Sequence, residues 1–317
     1  MRVLVTGGCG LVGSMAIRLL LDQGHEPVAY DVSIKTELLD DVKDGVIFVK
    51  GDTLDVPDLM RAVSVHDVQR ILHTASFLSP GAYERPYAAV RTNVMSSLNV
   101  YEVVRNAGLE KAVFTSSGKS VTDIPRLGQN ANSGDFGLAP DPYSSSKIAS
   151  ELFLSDWRQL YDLNLVIVRF AGLVYGPGYE FSGVVGQALK GVVEAAVRGE
   201  SSELRAMSGR TVVTSMLYAR DAADGAVRAT LADGLHDWVY NLHGHDTHSV
   251  AEVANIIAEL IPGAEIQVPP IDAKGKRIDP DPRSKADLGY EAQYDATYGL
   301  GEYIEFLRTR KLRDWKN

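Results

Sequence analysis

Short apolar runs alternate along this chain with longer stretches whose apolar residues recur at helical spacing. Strand-like runs lie at residues 27–30, 46–49, 70–73, 112–115 and 165–169, and helix-length segments separate them. Such alternation predicts parallel strands joined by right-handed helical crossovers. We therefore predict an α/β fold built on a doubly wound parallel sheet.

The chain opens with an apolar run that leads directly into a cluster of glycines, Gly7, Gly8, Gly10 and Gly13. A helical pattern follows at residues 16–21 and closes at Gly24. Glycines allow a tight turn and close approach of the backbone to a ligand, and the free N–H groups of a helix N-terminus attract an anion. This opening predicts a binding site for a dinucleotide pyrophosphate.

A carboxylate follows the glycines at the distance that such a site requires. Asp31 lies 18 residues after Gly13, at the end of the second predicted strand. A carboxylate there accepts hydrogen bonds from the adenosine ribose and repels a 2′-phosphate, so Asp31 favours NAD over NADP. Lys35 lies close by and leaves NADP as the alternative, because a basic residue in this loop accommodates the phosphate.

Tyr143 and Lys147, four residues apart, are the clearest candidates for catalytic chemistry. Their spacing places both side chains on one face of a helix, about one turn apart. An ammonium beside a phenol stabilises the phenolate. We therefore expect Lys147 to lower the pKa of Tyr143 from its usual value of about 10, so that the phenol exchanges a proton with a substrate alcohol near neutral pH.

Composition limits the possible partners. The 317 residues are 45% hydrophobic and 23% charged, enough to bury a full core, and the net charge of −9 argues against nucleic acid. No apolar run reaches the roughly 18 residues of a membrane span, and the first strand leaves no room for a signal peptide, so we expect a cytoplasmic protein without a membrane partner. Cys9 is the only cysteine, which excludes an internal disulfide.

The motifs taken together resemble the extended short-chain dehydrogenase/reductases, also called the NAD-dependent epimerase/dehydratase family. The resemblance spans nearly the whole chain. Its motifs are the N-terminal glycines, Asp31, Asp52, residues 73–76, 92–94, 116–117, 174–177 and 281–290, and the Tyr143/Lys147 pair. It implies an enzyme with a Rossmann sheet, an NAD cofactor and a smaller, discontinuous C-terminal substrate domain.

The resemblance also implies roles for individual residues. Tyr143 is similar to the catalytic acid/base, and Lys147 resembles the residue that lowers its pKa and holds the nicotinamide ribose. Ser117 resembles the hydroxyl that bonds the reacting oxygen, with Ser116 as the alternative if the register differs by one. Asn93 is similar to the residue that steadies the central helix and its water.

The resemblance also implies two sets of binding residues, one for the cofactor and one for the substrate. The expected cofactor site contains backbone and side-chain groups from the glycine turn and from the ends of the predicted strands: Gly7, Gly10, Leu11, Val12, Gly13, Asp31, Asp52, Thr53, Thr74, Ala75, Ser76, Asn93, Tyr143 and Lys147. The expected substrate site contains Phe77, Ser79, Ser117, Gly118, Lys119, Tyr143 and Arg210. In this interpretation, Asp52 meets the adenine amino group.

The chain departs from its family's pattern where substrate is bound. Sugar-nucleotide dehydratases place an acidic pair where this chain has Gly118 and Lys119, which argues against a 4,6-dehydratase. Sugar-nucleotide epimerases carry an Asn at the position of Gly172 and a diphosphate-binding Arg at the position of Thr214, although Arg210 lies near enough to substitute. A smaller hydroxylated substrate therefore stays open.

The family fold predicts how the chain is divided. We expect residues 1–171 and 217–244 to form the NAD-binding domain and residues 172–216 and 245–317 the substrate domain, with a hinge at residues 176–178. By family analogy, helices at about 86–106 and 143–160 associate two copies into a homodimer. His243, His245 and His248 are close in sequence, but Ser249 and Glu252 have the spacing of a capping box, so we predict a helix start there and no metal site.

Three functions are compatible with these residues. The first is NAD-dependent removal of a hydride from a secondary alcohol of a polyol, sugar or sugar-nucleotide substrate, by an epimerase or a dehydrogenase. The second is a dehydrogenase of a small hydroxy acid, uronate or amino alcohol, with Lys119 or Arg210 meeting a carboxylate. The third is a catalytically silent NAD-binding scaffold or sensor, which the retained Ser117, Tyr143 and Lys147 argue against.

Overall fold

The computed structural model describes residues 1–78, 81–118, 141–178, 184–204, 213–269 and 280–312. The strands are β1 (Arg2–Thr6), β2 (Glu26–Asp31), β3 (Ile47–Lys50), β4 (Arg70–His73), β5 (Lys111–Ser117), β6 (Leu165–Phe170), β7 (Leu173–Tyr175), β8 (Ser202–Glu203), β9 (Val213–Tyr218), β10 (Val239–Leu242), β11 (Asp246–Ser249) and β12 (Ile266–Gln267). The helices are α1 (Leu11–Asp22), α2 (Val56–Val65), α3 (Gly81–Glu84), α4 (Pro86–Val90), α5 (Ser96–Ala107), α6 (Pro142–Tyr161), α7 (Val184–Arg198), α8 (Ala219–Leu231), α9 (Val250–Leu260), α10 (Pro282–Leu288) and α11 (Ala296–Thr309).

Seven strands form the main sheet in the order β10-β6-β5-β4-β1-β2-β3, and every neighbouring pair is parallel. The strand order reverses direction next to β1, which makes the sheet doubly wound and confirms the predicted fold class. The predicted strands are all present, with ends that differ by at most two residues. In a parallel sheet the carboxyl ends of the strands lie at one edge, and the candidate site residues follow those ends.

Helices cover both faces of the main sheet because its strands are apolar on both sides. Val3 and Val5 of β1 pack in one core cluster with α1 and α8, whereas Leu4 packs in a second cluster with α2 and α5. Successive residues of a strand point to opposite faces, so a continuous apolar run is what a doubly covered strand requires. Among the helices that the structure describes, none combines the length and the apolar sequence that a membrane span requires.

A smaller sheet of three strands, in the order β11-β9-β7, lies beyond β6 in the chain and has its own core. This third core cluster contains residues of α7, α9 and α11 together with Tyr175, Met216 and Tyr218. The expected domain boundary at residue 217 falls inside β9, because Leu217 and Tyr218 pair with β7. The other expected boundaries, at 171/172 and 244/245, fall between strands.

The helix expected at about 86–106 is interrupted. A π-helical turn, Arg91–Met95, separates α4 from α5. Such turns insert one residue into the helical repeat and often mark functional positions. Here the turn carries Asn93, whose side chain is buried.

Candidate active site

The glycine turn between β1 and α1 has the shape that a dinucleotide phosphate requires. Gly7 has φ +66°, and a Cβ atom on Gly13 would lie 2.1 Å from the Gly7 carbonyl oxygen. Gly10 precedes α1 without a side-chain cap, and its N–H donates to the Gly7 oxygen at 3.0 Å. The turn therefore packs so tightly on the start of α1 that position 13 admits only glycine, and the first N–H groups of α1, from Leu11 to Gly13, have no acceptor within the helix. These residues fit a pyrophosphate.

Asp31 lies beside this turn, as the sequence predicted. Its carboxylate accepts hydrogen bonds from the backbone N–H of Cys9 (3.1 Å) and of Ser33 (3.1 Å). These bonds orient the carboxylate at the carboxyl end of β2, next to the N-terminus of α1. Asp52 lies two residues after the end of β3, where its carboxylate accepts from the Leu54 N–H at 2.9 Å, and Thr53 beside it is buried.

Asn93 joins the segment after β4 to helix α6. Its side-chain oxygen accepts from the Phe77 N–H (2.6 Å) and the Ser76 hydroxyl (3.2 Å). Its side-chain nitrogen donates to the Phe77 carbonyl (3.0 Å) and to the Ser146 hydroxyl (2.8 Å). Asn93 thus fixes the segment that the sequence assigned to cofactor and substrate, and it steadies α6 through a side chain that the sequence interpretation did not include, Ser146.

His73 is a second residue whose part in the site the sequence did not indicate. Burial lowers the pKa of His73 to about 3, so the ring is neutral. The Ser97 hydroxyl donates to the Asn93 carbonyl at 2.7 Å, so His73 Nε2 must donate to Ser97 (3.3 Å), which leaves Nδ1 to accept from the Thr6 hydroxyl (2.7 Å). The imidazole therefore links β1 to Ser97 of α5, whose hydroxyl bonds the Asn93 carbonyl of the π-helical turn.

The Thr74 and Ala75 backbone completes this region. The Thr74 hydroxyl donates to the Thr6 carbonyl at 2.7 Å, and the Ala75 N–H donates to the Thr6 hydroxyl at 3.3 Å. A Cβ atom on Gly7 would lie 3.0 Å from the Ala75 backbone. The segment after β4 and the glycine turn are therefore in contact, which brings together two parts of the predicted cofactor site.

Tyr143 and Ser117 meet at the carboxyl edge of the main sheet. Ser117 is the last residue of β5, and its side chain is hydrogen-bonded to the Tyr143 phenol. Tyr143 lies in the first turn of α6, which begins because the Asp141 side chain caps the Ser144 N–H at 2.7 Å and Pro142 occupies the first helical position. The Ser116 hydroxyl is buried, and among the described residues it has no hydrogen-bond partner. The structure therefore brings Ser117, rather than Ser116, to the phenol.

Lys147 lies one turn after Tyr143, as its spacing predicts. Its Nζ donates to the Thr115 carbonyl at 3.0 Å and lies 4.7 Å from the centre of the Phe114 ring and 5.8 Å from that of Tyr143. Burial lowers the pKa of Lys147 to about 7, and the charge of Glu151 acts in the opposite direction. Glu151 is itself held by Arg169 through hydrogen bonds of 2.5–3.1 Å.

The expectation that Lys147 lowers the pKa of Tyr143 is wrong for the protein without cofactor and substrate. Burial, and then the charge of Asp141, raise the pKa of Tyr143, and only the hydrogen bond from Ser117 lowers it. Removing a phenol from water disfavours its charged form, and burial also disfavours the charged form of Lys147 beside it. Spacing predicted the contact but not the sign of the pKa shift.

Two glycines at the same edge have no room for a side chain. A Cβ atom on Gly118 would lie 2.8 Å from the Ala171 Cα atom, and one on Gly172 would lie 2.6 Å from the Ser215 carbonyl oxygen. At both positions the neighbouring backbone excludes the larger side chain that the sugar-nucleotide enzymes carry there. The remaining substrate candidates Ser79, Lys119 and Arg210 lie outside the described residues, and nothing is described of the Thr214 side chain.

The histidine-rich stretch forms the helix start that the sequence predicted. The Ser249 hydroxyl accepts from the Glu252 N–H, and the Glu252 carboxylate accepts from the Ser249 N–H, which confirms the capping box at the start of α9. His248 pairs with Asp246 at 2.8 Å. In the part of the chain that the structure describes, no three His, Cys, Asp or Glu residues are grouped to hold a metal ion.

Comparisons with known proteins identify the family to which the chain belongs. Residues 3–242 match the model of the NAD dependent epimerase/dehydratase family. The chain is 30% identical to UDP-glucose 4-epimerase of Mycolicibacterium smegmatis over 98% of this chain and 99% of that protein. The structure of Thermus thermophilus UDP-glucose 4-epimerase in complex with NAD has 28% identity and a TM-score of 0.80, covering 98% of this chain and 99% of the other.

A relative with a different name matches over a similar length. UDP-glucuronic acid decarboxylase 3 of Arabidopsis thaliana is 25% identical over 98% of this chain and 90% of that protein. Overall similarity therefore identifies the family and the cofactor without selecting one reaction. The family match and the full-length similarity confirm the resemblance seen in the sequence: the chain belongs to the NAD-dependent epimerase/dehydratase family and is an NAD-dependent enzyme of the extended short-chain dehydrogenase/reductase type.

Proposed function

We propose that this enzyme oxidises a secondary alcohol of a sugar or sugar-like substrate, with Tyr143 as the acid/base. The observation that carries the proposal is the grouping of three side chains at the carboxyl edge of the sheet: Ser117 ends β5, its hydroxyl interacts with the Tyr143 phenol, and the Lys147 Nζ atom lies 5.8 Å from the centre of the Tyr143 ring. An alcohol oxygen placed against both hydroxyls is within reach of the group that takes its proton. Bound NAD supplies the acceptor for the hydride.

The residues around the phenol have separate roles in this proposal. Ser117 donates to the reacting oxygen and holds it against Tyr143, whose phenolate form accepts the alcohol proton as the carbon is oxidised. In its ammonium form Lys147 supplies the positive charge that stabilises this phenolate, and it is held in place by the Thr115 carbonyl. Asn93 positions α6, and thereby Tyr143, through Ser146. Gly7, Gly10, Leu11, Val12 and Gly13 would hold the pyrophosphate of NAD, and Asp31 its adenosine ribose.

The substrate class that the relatives favour is a nucleoside diphosphate sugar, and the reaction is epimerisation. The support is the full-length similarity to two UDP-glucose 4-epimerases, one of them in complex with NAD. In an epimerase the hydride returns to the opposite face of the same carbon, so NAD is regenerated in each turnover and need not leave. Purified protein should then carry NAD through dialysis and interconvert UDP-glucose and UDP-galactose without net formation of NADH.

The second candidate is a dehydrogenase of a small hydroxy acid, uronate or amino alcohol. Gly172 favours it, because no side chain fits between this residue and the Ser215 carbonyl, and the epimerases' Asn contact with substrate is therefore missing. A dehydrogenase would be isolated without tightly bound NAD and would accumulate NADH with such an alcohol. A UDP-sugar that is neither bound nor converted, together with NADH formation from a small alcohol, would replace the epimerase proposal by this one.

We also propose that two copies associate through the helices beside the active site. Helices α3, α4 and α6 pack against one another, and together with the π-helical turn they carry large exposed apolar side chains: Tyr83, Tyr87, Val90, Met95, Leu152, Phe153, Leu160 and Tyr161. A concentration of exposed apolar side chains on neighbouring helices is typical of a protein interface. Leu160→Glu should shift the protein toward monomer in light scattering. The matched control is Val65→Glu on α2, because Val65 (66% exposed) is as accessible as Leu160 (71% exposed) but lies on another helix.

A further inference from the structure

The segment after β2, residues 32–41, is tied to the glycine turn at two points. The Asp31 carboxylate accepts from the backbone N–H groups of both Cys9 and Ser33. The Cys9 side chain, in turn, is hydrogen-bonded to the backbone of Lys35. The segment therefore runs alongside the turn that we assign to the pyrophosphate.

A buried arginine holds the far end of this segment. Arg18 of α1 is 1% exposed, and its guanidinium donates to the Leu38 carbonyl at 2.7 and 3.1 Å and to the Asp41 carboxylate at 2.8 Å. Arg18 lies seven residues after Leu11, so both side chains lie on the same side of α1, two turns apart. The guanidinium therefore fixes the backbone at Leu38 relative to the helix that begins at the glycine turn.

The Leu38 side chain packs on a segment from a different part of the fold. Leu38 is 7% exposed, and a Cβ atom on Gly178 would lie 2.4 Å from its Cδ1 atom, so the leucine methyl groups lie against the glycine backbone. Gly178 has φ +87° and follows Tyr175 of β7 by three residues. Tyr175 belongs to the third core cluster, and Leu11 contacts both that cluster and the first.

The Leu38–Gly178 contact thus connects the segment that follows Asp31 to the segment that follows β7 of the smaller sheet, alongside α1. We propose that Leu38 is a latch: it keeps the 32–41 segment and the 176–178 segment together beside bound NAD, and the two must separate for the cofactor to leave. Arg18 is the positioning residue that holds the latch in place. The proposal rests on the cofactor placement used above, but not on the identity of the substrate.

The test is the rate of cofactor release. Protein loaded with NADH is mixed with excess NAD, and the decay of NADH fluorescence gives the release rate without any substrate. Leu38→Ala removes the contact from one side. Gly178→Ala disturbs it from the other, because the new methyl group meets Leu38. Both should release NADH about tenfold faster than the wild type, and the double variant should be no faster than the faster single variant, because residues in direct contact are energetically coupled.

Two controls separate the latch from a general loss of packing. Leu39→Ala removes the same atoms from the neighbouring residue, which is fully buried in the first core cluster, so it should lower the melting temperature and leave the release rate within about threefold. Leu38→Met, of similar volume, should keep release slow. If Leu38→Ala releases NADH at the wild-type rate, or Leu39→Ala accelerates release equally, Leu38 is no latch. A protein that lacks turnover but shows the expected release rates would contradict only the proposed reaction.

Discussion

Two buried lysines lie at opposite ends of strand β5, and their surroundings explain why only one belongs to the candidate site. Lys111 begins β5 and is 1% exposed, whereas Lys147 reaches the other end of the strand at Thr115 and is 2% exposed. Burial lowers the pKa of both, to about 8 for Lys111 and about 7 for Lys147. By burial and pKa alone, the two ammonium groups are nearly equivalent.

Their hydrogen-bond partners are different. Lys111 donates to the Ala229 and Ala232 carbonyls at the end of α8, and Arg70 beside it bonds the Thr230 and Leu231 carbonyls. Cations at a helix C-terminus satisfy carbonyls that have no partner within the helix. Lys147 instead faces a phenol that is paired with a serine. A lowered lysine pKa therefore shows only that the lysine is buried. Whether the lysine takes part in catalysis has to be inferred from the groups next to it.

The largest expected effect is the loss of turnover when the Tyr143 hydroxyl is removed from the carboxyl edge of the main sheet. Tyr143→Phe removes one oxygen atom, so turnover should fall by roughly 10²–10⁴-fold while NAD affinity changes little, because the acid/base is lost and the rest of the site is kept. Steady-state kinetics and a cofactor titration measure both. Tyr161→Phe, an exposed position on the same helix, is the control and should keep its turnover. Full activity in Tyr143→Phe would exclude the proposed acid/base.

The two lysines can be compared directly by the same substitution. Lys147→Met should lower turnover by on the order of 100-fold and raise the KM for NAD, because it removes the charge beside Tyr143 and the expected ribose contact. Lys111→Met should leave turnover within about twofold, because its charge lies at the opposite edge of the sheet. Equal losses of turnover in the two variants would mean that burial of the lysine, and not its position next to Tyr143, is what matters.

A smaller effect is expected at the ribose end of the carboxyl edge. Asp31 should give the wild type at least about a tenfold preference for NAD over NADP, since a carboxylate and a phosphate about 4–5 Å apart repel by on the order of 1–4 kcal/mol. Asp31→Ser should weaken NAD binding and improve NADP binding. Asp31→Asn removes the charge but keeps one acceptor oxygen, so it should separate the effect of charge repulsion from that of hydrogen bonding. The Kd values for NAD and NADP measure the preference of each protein. An unchanged ratio in both variants would assign cofactor choice to another group, such as Lys35.

The smallest expected effect is the contribution of Lys111, at the amino edge of the main sheet, to the pH dependence of stability. The folded protein holds Lys111 with a pKa of about 8, below the ordinary lysine value of 10.5, so the unfolded chain binds more protons between pH 8 and 10.5. The contribution of Lys111 to the free energy of unfolding should therefore rise with pH across that window and stay constant below it. Lys111→Met should remove this part of the pH dependence in denaturant titrations, and an identical pH profile would contradict the assignment.

Gly118 and Gly172 show what can be predicted from the sequence and what cannot. The departures at Gly118 and Gly172 were visible from the motifs, but their cause was not. Ala171 and Ser215, the residues that exclude a side chain there, lie 53 and 43 residues away in sequence. No spacing rule connects such pairs, because each contact continues the pairing of two strands that are far apart in sequence, β5 with β6 and β7 with β9.

The sequence by itself determined the order of strands and helices, the glycine turn, the placement of Tyr143 next to Lys147 and the capping box at Ser249. All four depend on spacing within one helix, strand or turn, and local geometry fixes them. Only the tertiary structure decided that Ser117 rather than Ser116 meets the phenol, that burial raises the pKa of Tyr143, that His73 supports Asn93, and that Leu38 reaches Gly178. These depend on desolvation and on contacts between distant segments, which exist only when the whole chain is folded.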